Sequence, residues 1–226
     1  TGQEDGSGGR LRAMDWSEEH GLLLGTHASE LLVVRPAAAE CRVLVHGHAQ
    51  RAGPWAAAPA AGGAAGEAAL PTESAVDDSQ TMGALRTVAV PRHRALCVTS
   101  GDDAVVRLWH LGGRQQLASR RMIAAVTSLC FDEASPFDGE SGARTRLAVG
   151  FESGSWEVII ADLPVGGDVA AIGADALAHP AVHTHAFGGV KGPQRRVTDL
   201  RFSPDARWLA VASADAAIYL YDTENG

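Results

Sequence analysis

The stretch 98–110, VTSGDDAVVRLWH, joins two apolar runs through an acidic turn and ends in a tryptophan and a histidine. Period-two alternation bounded by glycine and aspartate is typical of antiparallel strands, so the stretch predicts a tight β-hairpin. The same order of strand, turn and strand recurs in four copies, at residues 11–36, 84–111, 125–164 and 196–222. The hairpin is therefore one unit of a repeat, and the repeat decides the fold.

Three further segments, 41–48, 115–122 and 181–187, are candidate fourth strands between the copies. A repeat of about 40 residues with four strands resembles the blade of a WD40-type β-propeller. We therefore predict an all-β propeller of about four blades, three complete and a fourth with three strands. Because propellers hide their edges by closing into a ring, we expect these blades to be part of a larger or tandem propeller.

The predicted boundaries follow from shifts in composition. Low-complexity Ala/Gly/Pro tracts cannot bury enough side chain to fold alone, so we expect the inserts to be surface loops. The predicted units are a flexible linker at 1–10, blade 1 at 11–48, an insert at 49–82, blade 2 at 83–122, blade 3 at 123–189 with inserts at 133–144 and 165–188, and a partial blade 4 at 190–226.

Composition narrows the class of protein. The 226 residues are 46% hydrophobic and 20% charged, with a formal net charge of −8, which argues against a broad nucleic-acid interface. No segment reaches the roughly 20 consecutive apolar residues of a membrane span, and no secretory signal pattern is visible. The three cysteines, Cys41, Cys97 and Cys130, lie in apolar runs, which predicts buried reduced thiols and an intracellular protein.

The resemblance to WD40 blades implies a buried network that links a histidine, a turn aspartate and a tryptophan indole. In blade 2 the candidates are His48, Asp103 and Trp109, with Thr99 or Ser100 as a further member. A buried carboxylate has to be hydrogen-bonded, and such a network fixes one arrangement of strands. We favour this structural role over a catalytic pair of His48 and Asp103. The predicted network residues are His48, Ser100, Asp103, Trp109, Trp156 and Asp215.

The last two copies resemble the echinoderm microtubule-associated protein-like (EMAP-like) family of WD40-repeat proteins. That family has an AVGT-x-SG-x-W-x-V-x-D blade followed by a blade with an SPDG turn and an IY-x-Y strand. The residues that match the pattern are Ala148, Val149, Gly150, Ser153, Gly154, Trp156, Val158 and Asp162 in the first blade, and 201–205, Leu209, Ala210, Ser213, Asp215 and 218–221 in the second. Ala206 stands where the family has glycine.

This resemblance implies association with tubulin, microtubules or axonemal proteins, in the cytoplasm and cytoskeleton and in a cilium or flagellum. Two basic clusters are candidates for contact with the acidic tails of tubulin, although solvated charge is the alternative interpretation. They comprise Arg120, Arg121, Lys191, Arg195 and Arg196. A general WD40 scaffold or adaptor for another protein complex is the alternative function.

Other chemistry has less support in the sequence. His179, His183 and His185 suggest a metal site, but no further ligand has suitable spacing, so we predict no metal and no cofactor. Phosphate-binding glycine motifs and nucleophile motifs are absent. We therefore predict a chain that is not an enzyme and that binds other proteins.

Overall fold

The computed structural model describes residues 10–35, 40–46, 84–91, 95–132, 144–163, 172–185 and 192–224. Within these residues the structure contains strands and turns, and no helical segment has the length and apolar character of a membrane span. The strands form four antiparallel sheets, each of which is a meander in chain order. The predicted all-β propeller with four blades is confirmed.

The first two blades have four strands each. Blade 1 contains β1 Leu11–Ser17, β2 Gly21–Thr26, β3 Glu30–Arg35 and β4 Glu40–His46. Blade 2 contains β5 Leu85–Ala89, β6 Leu96–Gly101, β7 Val105–His110 and β8 Gln115–Arg121. The hairpin of β6 and β7 is the one predicted from residues 98–110, and it pairs Cys97 with Trp109.

Blade 3 has four strands and blade 4 has three in the described residues. Blade 3 contains β9 Val126–Phe131, β10 Arg144–Phe151, β11 Trp156–Asp162 and β12 Ala181–His185. Blade 4 contains β13 Val197–Phe202, β14 Trp208–Ser213 and β15 Ile218–Asp222. Strand β12 is the fourth strand predicted at residues 181–187. It lies inside the range 165–188 that we predicted as an insert, and so do the buried residues Ala176 and Leu177. These apolar side chains join the core, so this part of the range is not a surface loop.

The core is divided among the blade interfaces. One apolar cluster joins blades 1 and 2 around Leu23 and Trp109, and a second joins blades 2 and 3 around Leu108 and Phe151. A third joins blades 3 and 4 around Leu200. Because blade 2 packs against a neighbouring blade on each face, its strand β6 is covered on both faces, and all six of its residues are buried.

Two glycines allow the close approach of neighbouring blades. A side chain at Gly150, on β10, would meet the Val197 side chain of blade 4 at 2.6 Å. Gly25 has the corresponding role on β2, where a side chain would collide with Leu85 of blade 2. A Cβ at Gly150 would also come within 2.9 Å of Val197 Cβ, so the neighbouring strand would have to move, whereas at Gly25 the Leu85 side chain would have to turn.

The cysteines differ in their surroundings. Cys97 and Cys130 are buried free thiols, and burial raises the pKa of both. Cys41 is exposed, so the prediction of burial is wrong for this residue. It lies on β4, the outermost strand of blade 1, where an alternating apolar pattern does not place both faces in the core.

Candidate protein-interaction surface

The predicted network residues of blade 2 make hydrogen bonds within the hairpin of β6 and β7. The Trp109 indole N–H donates to Thr99 Oγ1 at 2.7 Å, so Thr99 is the hydroxyl partner of the tryptophan. Ser100 Oγ donates to the carbonyl of Val105 at 2.8 Å, across the turn. Asp103 accepts from the Val105 amide at 3.2 Å and forms an ion pair with Arg107. His48 lies outside the described residues, so its role stays a prediction.

Trp156 lies at the interface between blades 3 and 4, and Asp215 lies in the β14–β15 turn of blade 4. The Trp156 ring is stacked on His185, with centroids 5.9 Å apart, and is tilted against Tyr221 at 4.7 Å. Asp215 accepts hydrogen bonds from the amides of Gln194, at 2.9 Å, and Ala217, at 3.1 Å. The bond from Gln194 is the main reason why the pKa of the Asp215 carboxyl is lowered. These contacts tie the segment before β13 to the β14–β15 turn.

The two arginines of the first predicted basic cluster have different surroundings. The Arg120 guanidinium donates to the carbonyl oxygens of Leu177, at 3.1 Å, and His179. It therefore ties the outer strand of blade 2 to the segment that precedes β12 in blade 3. Arg121 is exposed at the end of β8. Of this pair, Arg121 is the residue that is accessible to a partner.

The second basic cluster lies directly before β13. Arg195 and Arg196 are exposed, and the Arg195 carbonyl accepts a hydrogen bond from Ser213 Oγ at 3.1 Å. This bond and the contacts of Asp215 hold the backbone of the segment in place. Lys191, the third predicted member, lies outside the described residues. The assignment of these residues to a partner interface stays a prediction.

A cavity of about 220 Å³ lies where the innermost strands of the four blades begin. Its lining includes Arg12 of β1, Arg86 of β5, Thr127 of β9 and Arg196 beside β13. Arg86 forms ion pairs with Asp102 of its own blade and Glu152 of blade 3. Arg12 and Arg86 were not predicted from the sequence. The sequence signal that could have identified them is the arginine at the same position of two copies, in LRA at 11–13 and in LRT at 85–87.

The predicted metal candidates do not form a ligand set. His179 Nε2 contacts Asp162 Oδ2, whereas His183 and His185 lie on β12, opposite Val158 and Trp156. Among the described residues, no group of three or more histidine, cysteine or acidic side chains could hold a metal ion. These histidines lie at strand pairs and in loop contacts of blade 3.

Comparison with known proteins agrees with this geometry. A model of the WD40 family, "WD domain, G-beta repeat", matches residues 184–222, which include all of blade 4. A crystal structure of a mitotic checkpoint complex aligns with a TM-score of 0.58 at 14% identity, over 95% of this chain and 47% of that chain. A computationally designed protein, Ika4, aligns at 0.55 and 14%, over 98% of this chain and 99% of its own. These structural similarities support the fold alone, and the WD40 type rests on the family match to residues 184–222.

Relatives of known name narrow the class further. Echinoderm microtubule-associated protein-like 2 from Homo sapiens is 29% identical over 133 residues, which are 59% of this chain and 16% of the relative. The protein of that name from Mus musculus is 28% identical over the same shares. The chain thus spans a small part of these relatives. These similarities, together with the WD40 match, support the predicted resemblance to the EMAP-like family of WD40-repeat proteins.

Proposed function

We propose that this chain is a non-catalytic propeller segment that binds tubulin, microtubules or axonemal proteins through its loops and blade surfaces. The general role of a protein-interaction scaffold is supported by the WD40 propeller fold and by the similarity to EMAP-like proteins. The more specific proposal, binding to tubulin, microtubules or axonemal proteins, rests on the similarity over 133 residues to proteins named for microtubule association. A cytoskeletal and ciliary setting belongs to the same proposal.

The charge distribution supports a specific contact surface. Arg195 and Arg196 are exposed beside a cavity that Arg12 and Arg86 also line, although the chain as a whole has a formal net charge of −8. A local positive surface can attract an acidic polypeptide even when the net charge is negative, because screening limits repulsion from distant charges to about 10 Å.

The roles of the polar side chains support the non-catalytic part of the proposal. In blade 2, Thr99, Ser100 and Asp103 bond within the hairpin, and in blade 4 Asp215 holds a turn. Their hydrogen-bonding groups contact the hairpin or turn in which they lie, and these residues do not line the cavity at the start of the innermost strands. These hydrogen bonds account for the polar residues of the repeat, so no catalytic role is needed to explain them.

The net charge favours the second candidate function, a scaffold for a different protein complex. A formal net charge of −8 repels an acidic filament at long range, which a scaffold for neutral or basic partners would not experience. The two candidates differ in whether the protein binds microtubules directly.

Co-sedimentation of the full-length protein with taxol-stabilised microtubules tests the proposal. We expect pelleting above an albumin control, and reduced pelleting when Lys191→Glu, Arg195→Glu and Arg196→Glu are combined. Arg42→Glu with Arg114→Glu is the control, since both arginines are exposed and lie in other parts of blades 1 and 2. A protein that stays in the supernatant with albumin would exclude the microtubule function. Unchanged pelleting of the triple variant would exclude the basic cluster as the contact.

A further inference from the structure

The innermost strands of the four blades lie side by side and begin around one cavity. Arg12, Arg86, Thr127 and Thr198 are each the second residue of an innermost strand, and all four line the cavity. Arg196, directly before β13, lines it as well. The repeat therefore brings together side chains that are far apart in the sequence, and three of them are cationic.

The three guanidinium groups are not equivalent. Arg86 is occupied, because it lies between Asp102 and Glu152 and joins blades 2 and 3. Arg12 and Arg196 are exposed, and within the described residues neither side chain takes part in an ion pair or a hydrogen bond. Each keeps its full set of N–H donors for a ligand.

Other acidic side chains near the cavity are directed elsewhere. Asp15 of β1 accepts a hydrogen bond from the Val90 amide at 2.7 Å. Asp199 of β13 accepts from Ser128 Oγ at 3.2 Å, across the interface of blades 3 and 4. Of the three guanidinium groups that line the cavity, Arg86 is held by two carboxylates, whereas Arg12 and Arg196 remain available to an anion.

We infer that this cavity binds a carboxylate side chain of an acidic peptide segment. A volume of about 220 Å³ suits one side chain with a few waters, since sites for drug-sized ligands are typically about 300–1,000 Å³. Arginine binds carboxylates through paired, charge-assisted hydrogen bonds.

The surface around the cavity favours a peptide over a free small acid. Arg10 precedes β1 and Arg195 precedes β13, and both are exposed beside the two arginines that line the cavity. Neighbouring carboxylates of an extended acidic segment have these further cations to contact. The inference names the chemistry of one cavity and does not depend on microtubule binding.

Fluorescence anisotropy of a labelled oligoglutamate peptide, titrated with the full chain, tests the inference. We expect binding that weakens when salt rises from about 50 mM to about 300 mM, because exposed ion pairs are screened. An oligoglutamine peptide of equal length is expected not to bind. Arg12→Gln with Arg196→Gln should lower the affinity at least about tenfold, which corresponds to about 1.4 kcal/mol.

The matched control is Arg42→Gln with Arg114→Gln, which removes the same charge elsewhere and should change the affinity less than about twofold. Circular dichroism and thermal melting show whether each variant is folded, and Arg12→Lys provides a variant that keeps the charge and loses paired hydrogen bonding. Equal binding by the Arg12/Arg196 variant, or equal binding of oligoglutamine, overturns the inference. Displacement by inorganic phosphate at constant ionic strength would assign the cavity to phosphate and overturn it too. If the protein binds the peptide but does not pellet with microtubules, the carboxylate site is retained and the microtubule function is rejected.

Discussion

Ala216 occupies a backbone conformation that glycine adopts more easily. Its φ is 67°, and Ala104 and Ala206 have φ of 55° and 54°. Ala104 and Ala216 lie in the turns of equivalent hairpins, and Ala206 lies where the EMAP-like pattern has glycine. A Cβ in the left-handed region costs about 1–2 kcal/mol. The three alanines are compatible with these turns, but their positive φ leaves the backbone strained.

Ala216→Gly should therefore raise the free energy of unfolding by about 0.5–1 kcal/mol, because it relieves strain at an exposed position where no packing is lost. Chemical denaturation followed by circular dichroism measures the change. Ala214→Gly is the control, since Ala214 is exposed in the same turn and has no positive φ. It should lower stability through added backbone freedom in the unfolded chain. Equal effects of both substitutions would contradict the explanation by strain.

At the scale of elements, one side chain of β10 joins blade 3 to blade 4. Arg146 lies 2.7 Å from Asp132, which is buried, and donates to Thr223 Oγ1 at 3.0 Å and to the Ala206 carbonyl at 2.9 Å. Its guanidinium also lies over the Phe202 ring, 5.4 Å from the centroid. The blade interface thus combines an apolar cluster with directed polar contacts, among them those of Arg146.

Arg146→Met should destabilise the chain by about 3 kcal/mol, because it leaves the buried Asp132 carboxylate without this cation. Arg144→Met is the control on the same strand: the Arg144 side chain is 69% exposed and its pair with Asp162, at 3.3 Å, lies at the surface. We expect less than about 1 kcal/mol there. Thermal unfolding of both variants measures the contrast, and similar losses would mean that the contact of Arg146 is not the cause.

At the scale of the whole molecule, blades 1 and 4 each expose apolar side chains on one face, and these are called the end faces. On β1, Asp15 faces blade 2, whereas Met14 and Trp16 face away from it. On β15, Tyr219 and Tyr221 pack against blade 3, whereas Ile218 and Leu220 face away. Contiguous exposed apolar surfaces mark interaction or aggregation sites. Burial of the two end faces against another surface would remove this apolar area from water.

The isolated chain should consequently self-associate or remain partly unfolded. Size-exclusion chromatography with light scattering is expected to give a mass that rises with concentration. Met14→Glu with Ile218→Glu should reduce this rise, since these side chains are 73% and 72% exposed on the end faces. Ile123→Glu is the control, because Ile123 is 80% exposed between β8 and β9, away from those faces. A monodisperse monomer that melts cooperatively would contradict the prediction.

The sequence by itself determined the elements and their order. Alternation, turn residues and small residues are local signals, so the hairpin at residues 98–110 and its recurrence gave the blades and the hydroxyl candidates for Trp109. Only the tertiary structure decided which arginines are structural and which are accessible. Arg120 ties two blades together, whereas Arg12 and Arg196 meet at a cavity, because these contacts join residues from different blades. Spacing within one repeat does not encode such distances; they arise when the apolar faces of neighbouring blades pack.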